Sequence, residues 1–295
     1  MKMTNTQAKV KSKMLNPISR NPLVGAGIAL ATTMSSLWAL PAYAQFTLTD
    51  GDFEYEQRGD DLGASDINVN GGNDNLFQDW WFFRVDGDTS ESVFQSDKTP
   101  TSSTVNTALL DFASNGVFSA SLDYTLTDLG GGEGAVLQNM SILNETASDL
   151  VIDLFYYVDL DVDASFSNTA TLAGPNSVLF EENGVEFTVI GSDADAFQVL
   201  EFSDLLDLLE DGAITNLDNS GVPFGPGDAT VAFQWSLLIP AGESTTVSGA
   251  VGIGDFSEED VIPTPVAEPV PEPGSSTLAL ALLALSGMGL RVLRR

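Results

Sequence analysis

The chain has 295 residues, 43% of them hydrophobic, and contains neither cysteine nor histidine. That composition supports a packed core and excludes disulfides, thiolate and imidazole metal sites, and Ser-His or Cys-His nucleophilic mechanisms. Between Arg20 and Arg291 stand 42 acidic residues against only Arg58, Arg84 and Lys98, a net charge of −39 that repels nucleic acid and anionic lipid and attracts cations or basic partners.

The N-terminus is basic, with Lys2, Lys9, Lys11, Lys13 and Arg20, and leads into an apolar run from Leu23 to Leu40. Pro41 and the small-x-small sequence Ala42-Tyr43-Ala44 follow. This is the three-part layout of a secretory signal peptide, handled by the Sec machinery and cut by signal peptidase between Ala44 and Gln45. An uncleaved anchor is the alternative for an apolar run of 18 residues. The cleavage-type boundary favours removal of residues 1–44.

From Gln45 to Phe256 the periodicity is mostly two. In residues 118–127 Phe118, Ala120, Leu122, Tyr124 and Leu126 alternate with polar residues, which predicts a strand with one dry and one wet face. The same pattern recurs in 185–190, 230–239 and 244–253, with further candidates near 45–56, 80–85, 104–112, 135–143, 149–162 and 176–181. Pro240-Ala241-Gly242-Glu243 between the runs ending at Ile239 and beginning at Ser244 predicts a hairpin with a four-residue connection. One helix is expected, capped by Ser203, carrying Leu205, Leu206, Leu208 and Leu209 on its apolar stripe and stopped by Gly212. Residues 45–256 thus read as an acidic antiparallel β-sandwich, jelly-roll-like or immunoglobulin-like, with one short helix.

Several constellations in this body invite a chemical reading. Asp159, Asp161 and Asp163 alternate in a strand-like stretch, facing the same way as Asp153, Phe155 and Tyr157. Alternate side chains of a strand stand ~6.5–7 Å apart, whereas two oxygens on one calcium lie at most about 5 Å apart. Either these aspartates form a solvated strand face, or the chain bends after Asp159 and they hold Ca2+. Asp86-Gly87-Asp88, with Glu91 nearby, is a loop alternative for calcium, because Gly87 permits the turn that gathers carboxylates. Gly71-Gly72-Asn73-Asp74 reads as a turn and Arg58-Gly59-Asp60 as a chance tripeptide. Trp80-Trp81-Phe82-Phe83 is either a sugar-stacking platform or core, and alternation favours core. No catalytic motif is present and 42 carboxylates can neither nominate nor exclude a pair for glycoside hydrolysis, so the body is not expected to be an enzyme.

Residues 257–272 are rich in Pro and Glu, with prolines at 263, 265, 269 and 271 that impose extended backbone and argue against helix; they read as a linker. Residues 275–290 carry no charge and would make a helix of about 24 Å. Arg291, Arg294 and Arg295 follow and would keep this end cytoplasmic, leaving the body periplasmic. Val270-Pro271-Glu272-Pro273-Gly274, the adjoining apolar helix and the terminal arginines together resemble a PEP-CTERM sorting signal, whose remainder would be residues 273–295. The resemblance covers about 26 of the 295 residues. It implies an exosortase-like membrane protease as partner, transient anchoring in the inner membrane by a transmembrane helix, and release to the cell surface or outside. The role expected on this reading is that of an exported cell-surface or extracellular-matrix protein, structural or adhesive and associated with exopolysaccharide. The alternatives are a carbohydrate-binding module and a carboxylate-based glycoside hydrolase.

Overall fold

The computed structural model describes residues 46–58, 63–94 and 100–262. In chain order the strands are β1 (Phe46–Asp50), β2 (Phe53–Gln57), β3 (Ser65–Val69), β4 (Gln78–Val85), β5 (Ser92–Val93), β6 (Ser102–Ser103), β7 (Thr107–Phe112), β8 (Phe118–Gly130), β9 (Glu133–Asn144) and β10 (Leu150–Asp159). There follow β11 (Asn168–Gly174), β12 (Ser177–Glu182), β13 (Val185–Ser192), β14 (Ala196–Glu201), helix α1 (Asp204–Glu210), β15 (Phe224–Gly227), β16 (Ala229–Ile239), β17 (Ser244–Ile253) and helix α2 (Glu258–Val261). The described chain is mainly β and its sheets are antiparallel. One sheet has the order β1-β2-β3, a second β14-β16-β10-β4-β5, and a third β15-β11-β12-β13-β17-β9-β8-β7-β6.

The alternation in 118–126 is realised as read: each of the five apolar residues is buried and the residues between them are more exposed. These inward side chains join Met140, Phe187 and Val251 of the nine-stranded sheet, and Trp81, Tyr156, Phe233 and Trp235 of the five-stranded sheet, in one core. Two glycines make the sheets interlock. A Cβ on Gly249 would stand 2.6 Å from the Tyr156 ring, and one on Gly191 2.3 Å from Phe233, so each aromatic ring occupies the space a side chain would take.

The five-stranded sheet departs from the one-wet-face expectation. Phe82, Phe155, Tyr157 and Ala232 on its other face are buried against Leu205, Leu209 and Leu217. The predicted helix therefore forms and covers this face, each buried leucine contributing about 1.5–3 kcal/mol of apolar transfer. Trp80, Trp81 and Phe82 are all buried, so they are core rather than a platform. Ser203 precedes α1 with φ of 65° and its side chain makes no cap hydrogen bond, so burial of the leucine stripe, not capping, holds the helix in place.

Two further expectations are corrected. The residues 240–243 do not close a hairpin, because β16 pairs with β10 and β14 while β17 pairs with β9 and β13. Both strands have apolar faces that belong in the same core, Trp235 on one and Val247 on the other, and folding them face to face buries both. The turn docks on the end of β9, where Asn144 Nδ2 donates to the Ile239 carbonyl (2.9 Å) and the Asn144 amide donates to the Glu243 carbonyl (2.9 Å). The second correction concerns the start of the linker: Glu258–Val261 is a helical turn closed by a capping box between Ser257 and Asp260, ahead of the first proline.

The signal peptide with its boundary at Ala42, Ala44 and Gln45, and the tail with Val270 to Gly274, Arg291, Arg294 and Arg295, lie outside the described residues. Among the described residues no helix is long and apolar enough to cross a membrane.

Candidate functional site

The candidate site forms where β10 ends. Asp159 is its last residue, paired with Gln78 of β4 on one side and Thr230 of β16 on the other. The chain then bends, as a shared cation site would require. The Asp161 amide donates to the Asn75 carbonyl (3.1 Å), and the Asp163 amide to the Asn75 side-chain oxygen (2.9 Å). Asp163 adopts φ of 55° and turns away from its neighbours. Its carboxylate accepts hydrogen bonds from Asn73 Nδ2 at 2.8 Å and Asn183 Nδ2 at 3.4 Å.

Asp228 takes the place that the sequence pattern assigns to Asp163. It precedes β16, and the fully buried Asn168 fixes it against the bend. Asn168 Nδ2 donates to the Leu160 carbonyl (2.8 Å), and its side-chain oxygen accepts from the Ala229 amide (3.1 Å). One amide side chain thus ties the residue before Asp161 to the residue after Asp228. The backbone approaches closely here: Gly225 has φ of 95°, and a Cβ on it would meet the Asn168 carbonyl oxygen at 2.4 Å.

Asp159, Asp161 and Asp228 each present one carboxylate oxygen, and these oxygens lie within 4.8 Å of one another. They line a cavity of about 60 Å³ whose other walls are Phe77, Phe166 and Phe202. The three rings are exposed, at 45%, 66% and 39%, although each is a large apolar side chain. Phe77 and Phe202 meet edge to face, 5.9 Å apart.

Asp159 is only 1% exposed. Its Oδ1 and that of Asp228 are buried without a hydrogen-bond partner. Burial, followed by the charges of Asp228 and Asp161, raises the Asp159 carboxyl to about 8. Burial, with Asp228 and Asp74, raises Asp161 to about 6, and burial with Glu201 also raises Asp228. A pair of ionised groups at this separation repels by about 3.5 kcal/mol at an effective dielectric of ~20, before solvent screening of the two more open carboxylates. The arrangement is therefore costly without a proton, a cation or a donor-rich ligand.

Other acidic groups of the described body are differently engaged. Among the described residues Asp86 and Asp88 are not gathered with a third carboxylate. The Asp88 carboxylate accepts from the Val85 amide (3.1 Å), closing a tight turn, and Glu91 is drawn to Arg84 (2.6 Å). Arg84 also pairs with Asp153, and Arg58 with Asp74. Gly71 and Gly72 lie in a turn, the Gly72 amide donating to the Val69 carbonyl (2.9 Å). Two larger clefts, of about 460 and 440 Å³, lie elsewhere. In the first, the Glu258 and Asp260 carboxylates are taken by Ser192 and Ser257. The second is walled by phenylalanines that pack on one another, with Phe83 and Phe94 ring centroids 4.8 Å apart.

The sequence pattern offers Asp159 and Asp161, with Asp163, as a solvated strand face or, with a bend after Asp159, as a shared site. It missed Asp228, Phe77, Phe166 and Phe202, which reach the cavity only through strand pairing. A Pro-Gly-Asp turn before an apolar strand was the one local signal for Asp228.

No protein-family model matches the sequence, and no curated protein matches it. Among solved structures, a bacterial glucoamylase complexed with acarbose aligns with a TM-score of 0.48 and 10% identity over 74% of this chain and 34% of that one. A galactose mutarotase-like protein from Lactobacillus casei aligns with a TM-score of 0.46 and 9% identity over 72% of this chain and 100% of that one. A galactose mutarotase-like protein from Clostridium acetobutylicum gives 0.43 and 11% over 71% and 95%. The chain spans about a third of the glucoamylase. At these scores the likeness is one of general strand arrangement. The expectation of a structural or adhesive protein is not carried further: these chains are named for carbohydrate processing, not for structure or adhesion.

Proposed function

We propose that the protein is an exported glycan-binding protein that takes polysaccharide at the cavity of Asp159, Asp161 and Asp228. The carrying observation is the rim: Phe77, Phe166 and Phe202 are exposed around one carboxylate-lined opening. Aromatic faces stack on the C–H faces of sugar rings, and carboxylate oxygens accept hydrogen bonds from hydroxyls. The cavity is too small for a whole sugar ring, so the ring lies across the rim with its hydroxyls directed inward. The five- and nine-stranded sheets are read as the two layers of a β-sandwich that carries this site at one end.

Delivery follows from the two termini. Residues 1–44 direct export through the Sec machinery and are removed by signal peptidase. The PEP-CTERM-like tail holds the body on the periplasmic side until an exosortase-like protease releases it to the surface, where exopolysaccharide is the available partner.

Affinity electrophoresis of the purified protein through gels containing neutral or acidic polysaccharides tests this reading. Retardation by at least one polymer, weakened about 2- to 10-fold by Phe166→Ala, is expected from loss of one aromatic contact. Absence of retardation by every polymer, or retardation that survives substitution of all three phenylalanines, would contradict it. A hydrolase is the second reading, favoured by the grouped carboxylates and an Asp159 carboxyl that stays protonated at neutral pH, as a general acid must. Release of reducing ends by the wild type and not by Asp159→Asn would establish it.

A further inference from the structure

The buried carboxylate oxygens at the end of β10 have a chemical requirement that a sugar on the rim does not meet by itself. Asp159 lines the cavity and its Oδ1 has no donor within hydrogen-bond distance, and Asp228 Oδ1 is likewise unpartnered. Other carboxylates of the body also keep one unpartnered buried oxygen, Glu91 Oε2 and Glu182 Oε2 among them, but their second oxygens have found donors: Arg84 holds Glu91 and Asp153, and Glu182 receives the Ser165 hydroxyl (2.6 Å). Arg58 and Arg84, the only basic residues among those described, are both committed to ion pairs away from this cavity. Among the described residues no basic side chain remains to neutralise the three aspartates.

We propose that Asp159, Asp161 and Asp228 bind a single divalent cation of the calcium class. The ligand atoms are all oxygen, the set that hard cations select, and the sequence offers no thiolate or imidazole to attract a softer metal. Their mutual separations, all within 4.8 Å, fit inside the roughly 5 Å that separates opposite oxygens around calcium at bond lengths near ~2.4 Å. A cavity of about 60 Å³ has room for an ion and a few waters, since one water needs ~10–15 Å³ of such space. Calcium takes 6–8 oxygens. Three aspartates from the cavity floor leave positions open toward the mouth, where the phenylalanine rim lies. A pair of neighbouring sugar hydroxyls together with one or more waters would complete that shell, so this inference deepens the glycan reading and rests on it for the outer ligands only.

The sharpest test uses calcium alone, with no glycan present. The purified protein is stripped with chelator, dialysed and titrated with calcium chloride by isothermal titration calorimetry, with magnesium chloride in parallel. One saturable calcium site per chain is expected, with magnesium weaker. Asp228→Asn should weaken calcium binding at least 100-fold, while Asp163→Asn should leave it unchanged, because Asp163 faces away. At ~100-fold saturation calcium should raise the melting temperature by about 5–10 °C in the wild type and not in Asp228→Asn. Circular dichroism of Asp228→Asn confirms that the variant is folded. Weak, unsaturable calcium uptake equal in wild type and Asp228→Asn would overturn the cation site, leaving glycan binding by the rim to be measured separately in chelator. Conversely, a calcium site with no polysaccharide retardation would retain the cation inference and reject the glycan reading.

Discussion

Two carboxylates on neighbouring strands of one sheet, Asp79 and Asp159, are both buried and yet stand in opposite surroundings. They are one register position apart, since Val158 pairs with Asp79 and Asp159 with Gln78. Asp79 points into the core between the sheets. Tyr55 Oη donates toward its Oδ1 (3.0 Å), Gln138 Nε2 donates to its Oδ2, and Trp81 Nε1 holds Gln138 in place through its side-chain oxygen (2.8 Å). Asp159 points the other way, toward Asp161 and Asp228, and its Oδ1 receives nothing. A buried carboxylate supplied with donors belongs to the architecture, whereas one surrounded by carboxylates and opening on a cavity belongs to a ligand. The period of two that turns successive side chains to opposite faces is what divides these roles.

The largest effect that distinguishes them is on stability. Asp79→Ala leaves Gln138 Nε2 only the Tyr156 hydroxyl (3.3 Å) and the Tyr55 hydroxyl only Gln57 Oε1 (2.8 Å), and opens a void in the core. Urea denaturation should show a loss of about 2–4 kcal/mol. Asp159→Asn should have the opposite sign in chelator at pH 8, a gain of about 1–2 kcal/mol, because it removes a charge that has no partner. A comparable loss in both variants would erase the contrast.

Acidity provides a second, smaller distinction. Burial raises the Asp79 carboxyl to about 6, with Ser65, Tyr55 and Gln138 pulling it back, and Asp159 stands at about 8. Both lie above the ordinary value near 4, so the folded chain holds these protons more tightly than the unfolded chain does. Their contribution to stability is fully present below about pH 4. It is lost as pH rises through about 6 for Asp79 and about 8 for Asp159. Thermal melts in chelator should therefore show stability falling from pH 5 to pH 8, and Asp159→Asn should reduce the fall between pH 6 and pH 8, the remainder coming from Asp66, which burial and Asp74 raise to about 7. A wild-type melting temperature that climbs across this range would contradict the assignment.

The smallest stability effect is expected at the rim. Phe166 is 66% exposed, so Phe166→Ala should alter unfolding free energy by no more than about 0.5 kcal/mol while reducing polysaccharide retardation. A loss of stability as large as that of Asp79→Ala would make Phe166 a packing residue instead.

Much of this architecture was legible where side-chain chemistry is local. Alternation from Phe118 to Leu126 marked a half-buried strand, and the leucine stripe from Leu205 to Leu209 marked the helix. Alternation could not reveal that α1 covers the second face of β10, so it does not show that Phe155, Tyr157 and Asp159 are buried there. The turn at 240–243 is compatible with a hairpin or with a crossing between sheets. The choice is made by β9, β10, β13 and β14, which are distant in sequence. Asp159 and Asp161 were nominated by spacing. Asp228 was not, because Asn168, far from both in sequence, is what fixes it beside them.

The most direct measurement of the central claim is anomalous diffraction from crystals grown with calcium. The account predicts one ordered peak at the end of β10, ~2.3–2.6 Å from oxygens of Asp159, Asp161 and Asp228. A cavity that holds only water or protons at saturating calcium would contradict it.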